Sequence, residues 1–147
     1  MAEIIISQEE ADKLFQMPKA RLDDSVHDFP LHGEKVIINL QSTDGRERFI
    51  LDVSRGKIEI RKGKYQSRYH KIIILIRLDI FGAPHTNPDG AIVDCPNIHI
   101  YKEGYSDKWA YTLPDTFSKT DNLPQVLDEF MSYNIITDPP IFSGGAI

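Results

Sequence analysis

Ile72-Ile73-Ile74-Leu75-Ile76, followed at once by Arg77-Leu78-Asp79, is the stretch on which the fold of this chain turns. Five aliphatic residues in a row, four of them β-branched, are far too few to span a bilayer and suit a central strand covered on both faces. A central strand needs neighbours, and the flanking sequence supplies them. Val36 to Leu40 is β-branched, Thr43-Asp44-Gly45 is a hairpin signal, and Phe49 to Val53 reads as the return strand. Arg55-Gly56 gives a tight turn. Lys57-Ile58-Glu59-Ile60-Arg61-Lys62 alternates strictly, which predicts a strand with Ile58 and Ile60 facing inward, and Gly63-Lys64 then reads as a break. Downstream, Gly82 to Pro96 reads as loop because it carries Gly82, Pro84, Pro88, Gly90 and Pro96. Asn97-Ile98-His99-Ile100-Tyr101 alternates as a further strand, Lys102 to Asp107 as a turn, and Lys108 to Thr112 as the last strand.

Helix signals lie at the two ends. Ser7 is an N-cap with Glu10 three residues on, a capping box that predicts a helix over about residues 8–17, closed by Pro18. Residues 19–33 read as a connection. Asp121 or Asn122 caps a second helix, with Pro124 in its first turn and Val126, Leu127, Phe130 and Met131 as its apolar stripe. Pro139-Pro140 and Gly144-Gly145 prevent that helix from continuing. The expectation is an α+β fold: a predominantly antiparallel sheet of five or six strands, most simply a meander, flanked by an N-terminal and a C-terminal helix, in a single domain over residues 1–147.

Composition agrees with a self-sufficient domain. The chain has 147 residues, 41% hydrophobic and 27% charged, and a domain of that size buries roughly two-thirds of the surface its unfolded chain exposes. One cysteine, Cys95, excludes an internal disulfide and multi-cysteine zinc sites, and points to a reducing compartment. The start Met1-Ala2-Glu3-Ile4-Ile5-Ile6-Ser7 lacks the basic region of a signal peptide. A soluble, cytoplasmic protein without membrane contact is expected.

Charge is unevenly spread. The formal net charge is −5, yet Arg55, Lys57, Arg61, Lys62, Lys64, Arg68, Lys71 and Arg77 stand against Glu59 alone, so residues 55–77 carry +7 and the remainder −12. Such a belt binds phosphate or RNA, with Arg61, Lys62, Lys64 and Arg68 as its contacts, or it is the solvated face of strands whose cations guard an edge.

Side chains able to do chemistry concentrate after the central strand: Arg77, Asp79, His85, Asn87, Asp89, His99, Tyr101, Glu103, Asp107 and Lys108. Residues two apart on a strand share a face. Arg77 and Asp79 therefore point one way, as do Asn97, His99 and Tyr101, and pairing of the two strands would bring Arg77, Asp79, His99 and Tyr101 together under the Gly82–Pro96 loop with His85 and Asp89. Three readings of this group stay open. As an RNA- or phosphate-acting site, Arg77 neutralises phosphate, His85 and His99 carry protons, and Asp79 orients one of them. As a metal site, His85, Asp89, His99 and Asp79 form a mixed N/O set, although no HxxxH, HExxH or CxxC spacing is present. As structure, Asp79 pairs with Arg77, and Asn87-Pro88-Asp89-Gly90 is a turn without chemistry. Cys95, His27, His32 and His70 show no partner, and Ser42 and Ser54 lie in no nucleophile elbow. No cofactor or metal is expected.

Arg77-Leu78-Asp79-Ile80-Phe81-Gly82-Ala83-Pro84-His85, Asn87-Pro88-Asp89-Gly90, Cys95-Pro96-Asn97-Ile98-His99-Ile100-Tyr101 and Asp107-Lys108-Trp109-Ala110 together resemble a bacterial family of unknown function with an RLDIGGxPHxNPDG…CPHLHIYREG…DKWA pattern. The resemblance covers nearly the whole chain and implies no activity. It differs at Asn97, where that pattern has histidine, and this weakens the metal reading most. A looser similarity of pattern, an Arg-x-Asp strand followed by a histidine loop and a His-x-His strand, links the chain to TumE-like toxins of toxin–antitoxin pairs. It implies a role in acting on or binding RNA. The alternative is a non-catalytic acidic binding protein, such as an immunity protein, an antitoxin or a phage-encoded inhibitor of a host defence system. The expected partner is accordingly RNA or a protein, the latter an antitoxin or a host-defence protein.

Overall fold

The computed structural model of the chain describes residues 5–118 and 121–143. Helix α1 spans Gln8–Gln16, and the Ser7 hydroxyl accepts the Glu10 amide at 3.1 Å, the N-cap half of the expected capping box. Short strands β1 (Lys19–Arg21) and β2 (Val26–Asp28) follow. The meander is β3 (Lys35–Ser42), β4 (Arg48–Arg55), β5 (Gly63–Tyr69) and β6 (Ile73–Asp79). A small hairpin, β7 (His85–Thr86) with β8 (Ile92–Val93), precedes β9 (Asn97–Ile100) and β10 (Ala110–Thr112). Helix α2 (Leu123–Tyr133) is capped by Asn122, whose side chain accepts the Gln125 amide. Strands β11 (Ile136–Asp138) and β12 (Ile141–Ser143) close the described chain.

Eight strands form the main sheet in the order β10-β9-β6-β5-β4-β3-β1-β11, antiparallel except where β1 meets β11. Strands β12 and β2 pair separately in parallel. The sheet is thus larger than the five or six strands expected. The additions come from segments read as connection or tail, 19–33 and 136–143, where three-residue strands leave no periodicity to detect. Among the described residues no helix is long and apolar enough to cross a membrane.

The middle of the sheet also departs from the sequence reading. Ile58 and Ile60 do not face inward: residues 56–62 are a turn, with Ile58 92% and Ile60 59% exposed. The strand lies next door, at Gly63–Tyr69. Arg55 pairs directly with Gly63, so the intervening residues must reverse the chain. Gly63 fits there because a side chain at that position would press on Ile80 at 3.0 Å and Leu123 at 3.4 Å.

One face of the sheet is apolar. Leu40, Phe49, Leu51, Val53, Tyr65, Leu78 and Ile98 are buried in a single cluster with Ala11 and Leu14 of α1 and Val126, Leu127 and Phe130 of α2. Tyr65 packs on the Phe130 ring, and its hydroxyl donates to the Leu123 carbonyl at 2.7 Å. Burial pushes the Tyr65 phenol well above its ordinary value. Lys19 is fully buried on the same side. Its ammonium donates to the carbonyls of Phe15 (2.9 Å), Met17 (3.0 Å) and Asn134 (2.8 Å) and lies over the Phe49 ring. Carbonyls at both helix C-termini therefore end on one cation, where the helix dipoles favour positive charge.

Candidate functional site

The opposite face carries two polar rows that cross the strands. In the first, directly paired residues run Ile37, Asp52, Gln66, Arg77, His99 and Ala110. In the second they run Lys35, Ser54, Lys64, Asp79, Asn97 and Thr112. Direct partners on antiparallel strands share a face, so these side chains stand as lateral neighbours. The expected convergence of Arg77, Asp79 and His99 follows from this register alone.

The guanidinium of Arg77 forks onto Asp79, with Nε and one terminal nitrogen each 3.2 Å from a carboxylate oxygen. Its other terminal nitrogen donates to the Asp107 carboxylate. Its remaining interaction is with His99, whose Nε2 lies 3.1 Å away. His99 is fully buried, and its Nδ1 lies 2.8 Å from the Asp107 carbonyl. That carbonyl can only accept, so Nδ1 carries a hydrogen, while Nε2 lies between the Arg77 guanidinium and an Asp79 carboxylate oxygen 3.3 Å away. Burial works against the ionisation of Asp79, yet His99 and Arg77 outweigh it and hold this carboxyl below its ordinary value. A group with a depressed folded value stabilises the fold above its unfolded value and loses that contribution as pH falls through the folded one. Wild type is therefore expected to lose more stability than Asp79→Asn on acidification below about pH 4, read as urea midpoints for both proteins.

Other expected site residues divide. His85 joins the group: its ring meets His99 edge-on at 4.6 Å, and its Nε2 donates to the Lys108 carbonyl at 2.7 Å. Tyr101 leaves it. Its hydroxyl donates to the Ile6 carbonyl at 2.6 Å and its ring is part of the core. The strand ends at Ile100, so the alternation that placed Tyr101 beside His99 has stopped before reaching it. Asn97 is buried opposite Asp79, and its carbonyl oxygen has no partner. The metal reading gathers no ligand set: among the described residues no three His, Cys, Asp or Glu side chains group to hold an ion. Asp89 instead accepts the Ala91 amide at 3.0 Å within the turn.

Asn87 has a structural task that the sequence did not announce. Its side-chain amide donates to the Ala110 carbonyl (3.0 Å) and accepts the Ala110 amide (2.8 Å), pairing with β10 as a neighbouring strand would. Asn87→Ala leaves both groups of a buried edge residue without partners, and a loss of about 2 kcal/mol is expected. Hydrogen exchange should speed up selectively over 110–112. Cys95 holds the other side of the loop through a 3.2 Å bond from its thiol to the Asp79 carbonyl, and burial raises the thiol's pKa.

The expected nucleic-acid contacts also separate. Arg68 is committed to Asp52, a buried carboxylate, by a fork of 2.6 and 2.9 Å, and Gln66 adds a third bond at 2.8 Å. Arg61 holds Glu59 and stacks on the Phe81 ring at 4.1 Å. Lys62 and Lys64 are exposed and take part in none of the ion pairs among the described residues.

A family model for a family of unknown function, DUF6978, matches residues 6–136. The chain belongs to that family. The match begins just before the α1 cap and reaches β11, so DUF6978 includes both helices, the two polar rows and the Arg77 cluster. No curated protein and no solved structure matches this DUF6978 chain.

Proposed function

We propose that this DUF6978 chain is a non-catalytic binding domain that acts by holding a protein partner, as an immunity protein, an antitoxin or an inhibitor of a defence system does. The state of Arg77 carries this reading. It already holds two carboxylates and an imidazole nitrogen, so a phosphate would have to displace an internal anion to reach it. His99, the central imidazole, has no exposed surface and both its ring nitrogens are engaged. General acid–base work needs a group within reach of the substrate proton, and His99 is not.

A second reading, an RNA-directed protein of the toxin kind, is supported by one separate observation. Arg61 stacked on Phe81 stands beside the unpaired Lys62 and Lys64, which together offer an aromatic ring and cations to a single strand. His85, half-buried, would be its proton carrier.

One experiment separates the two. Purified protein and its His85→Ala variant are incubated with total RNA, and both are expressed in a bacterial host. Binding without catalysis leaves RNA intact with either protein and gives identical growth. RNA cleavage by wild type that is lost in His85→Ala would establish the second reading instead.

A further inference from the structure

The turn between β4 and β5 is exposed in an unusual way. Ile58 is 92% exposed, and its neighbour Ile60 stands beside Leu31, which is 69% exposed. Two backbone hydrogen bonds join these segments: the Gly33 amide donates to the Gly56 carbonyl at 3.1 Å, and the Arg55 amide donates to the Glu34 carbonyl at 3.0 Å. Phe81, the ring under Arg61, adds a further exposed apolar surface at the same end of the sheet. Large apolar side chains gathered at one end, rather than scattered singly, mark an interaction surface.

A groove of about 890 Å³ opens here, with Phe29, Leu31, Ile60, Leu123 and Pro124 in its walls and Arg55 lining it. Arg55 is poorly satisfied. Its two terminal nitrogens make only 3.4 Å contacts, to the Pro30 and Ile60 carbonyls, and its Nε is buried without a partner. It takes part in none of the ion pairs among the described residues. A buried donor without an acceptor is costly, and a ligand that brings one recovers that cost. The surrounding charge points the same way: Arg55, Lys57, Arg61, Lys62 and Lys64 against Glu59 give residues 55–64 a charge of +4 in a chain of −5.

We infer that this end of the sheet is the docking site for an acidic, apolar-studded segment of a partner protein, with one carboxylate on Arg55 and an apolar side chain between Leu31 and Ile60. The inference rests on the reading of the domain as a protein binder and names its surface. A concave groove with both polar and apolar walls suits a peptide better than a flat bilayer. Two carboxylates at the groove, Asp28 and Asp121, disfavour a continuous polyanion such as RNA and restrict an acidic ligand to a single carboxylate at Arg55.

The test uses the full chain and fluorescence anisotropy. The probe is a short labelled leucine-containing peptide with a single glutamate; the comparisons are the same peptide with lysine for glutamate, polyuridylate, and phosphatidylserine vesicles. The glutamate peptide is expected to bind saturably and less well as salt rises, and the lysine peptide not to bind. Arg55→Gln should weaken binding about tenfold or more, the range for losing a charged hydrogen bond. Ile60→Ser, at an exposed turn position where folding is not at risk, should weaken it severalfold. Absence of saturable binding, equal binding by both variants, or tighter binding of polyuridylate or vesicles would overturn the inference. The RNA-cleavage comparison is independent of it, so failure of this surface is distinguishable from failure of the binding reading.

Discussion

Replacement of Arg77 by methionine is expected to lower the stability of the domain by about 3 kcal/mol, toward the lower end of the range for breaking a buried ion pair because the side chain retains some exposure. The reason is what remains. Asp79 and Asp107 lose the cation between them, and His99 loses the guanidinium beside its Nε2. Lysine does not substitute, since one ammonium cannot fork onto Asp79 while holding Asp107, so Arg77→Lys is expected to recover less than half of the loss. Urea denaturation reads this as a lowered midpoint at unchanged slope. A substrate-binding arginine behaves in the opposite way: strained, unsatisfied active-site groups cost stability, and their removal is neutral or stabilising. The sign of the change therefore separates a scaffold from a reacting site without any assay of activity.

A loss of similar size, about 3 kcal/mol, is expected for Lys19→Met, because three buried carbonyls lose their donor at about 1–3 kcal/mol each and only part of that is offset by no longer burying a charge. Burial pushes the Lys19 ammonium from 10.5 down to about 8. A proton is then taken up on unfolding between those two values. The contribution of this site is complete above 10.5 and is lost as pH falls through about 8. The deficit of Lys19→Met against wild type should accordingly widen between neutral pH and about pH 9.5, where tyrosine ionisation does not yet interfere. Chemical denaturation of both proteins at the two pH values checks this. A deficit that stays constant would mean that the helix-end carbonyls hold the ammonium charged throughout.

These two side chains show how much of the fold could be read from the sequence. The N-cap at Ser7, the hairpin at Thr43-Asp44-Gly45 and the Ile73–Asp79 strand rest on local chemistry, and the structure has each of them. Strand β5 was missed because its inward residues, Gly63, Tyr65, Ser67 and Tyr69, include no aliphatic side chain to set a period, while Ile58 and Ile60 next to it alternate well and yet form a turn. Lys19 opens the segment read as a connection, and nothing in its neighbours marks it for burial. Its burial depends on two helix ends more than a hundred residues apart in the chain, which no local pattern encodes.

The candidate site divides in the same way. Arg77, Asp79 and His99 were legible because strand alternation fixes their faces and neighbouring strands pair. The partner that changes their meaning, Asp107, sits thirty residues from Arg77 in a turn, where sequence offers no rule for direction. With Asp107 in place the cluster closes on itself and ties β6, β9 and the 101–109 loop into one unit. Without it Arg77 would still fork onto Asp79 but would keep one terminal nitrogen available to an outside anion.

Nitrogen-15 NMR of the free protein tests this closure most directly. A closed cluster should show slowly exchanging, individually resolved guanidinium protons for Arg77 and a protected hydrogen on the Nδ1 of His99. An Arg77 side chain that exchanges at the rate of exposed arginines would mean that the group stands open to a substrate, and the case for a binding domain without catalysis would fall.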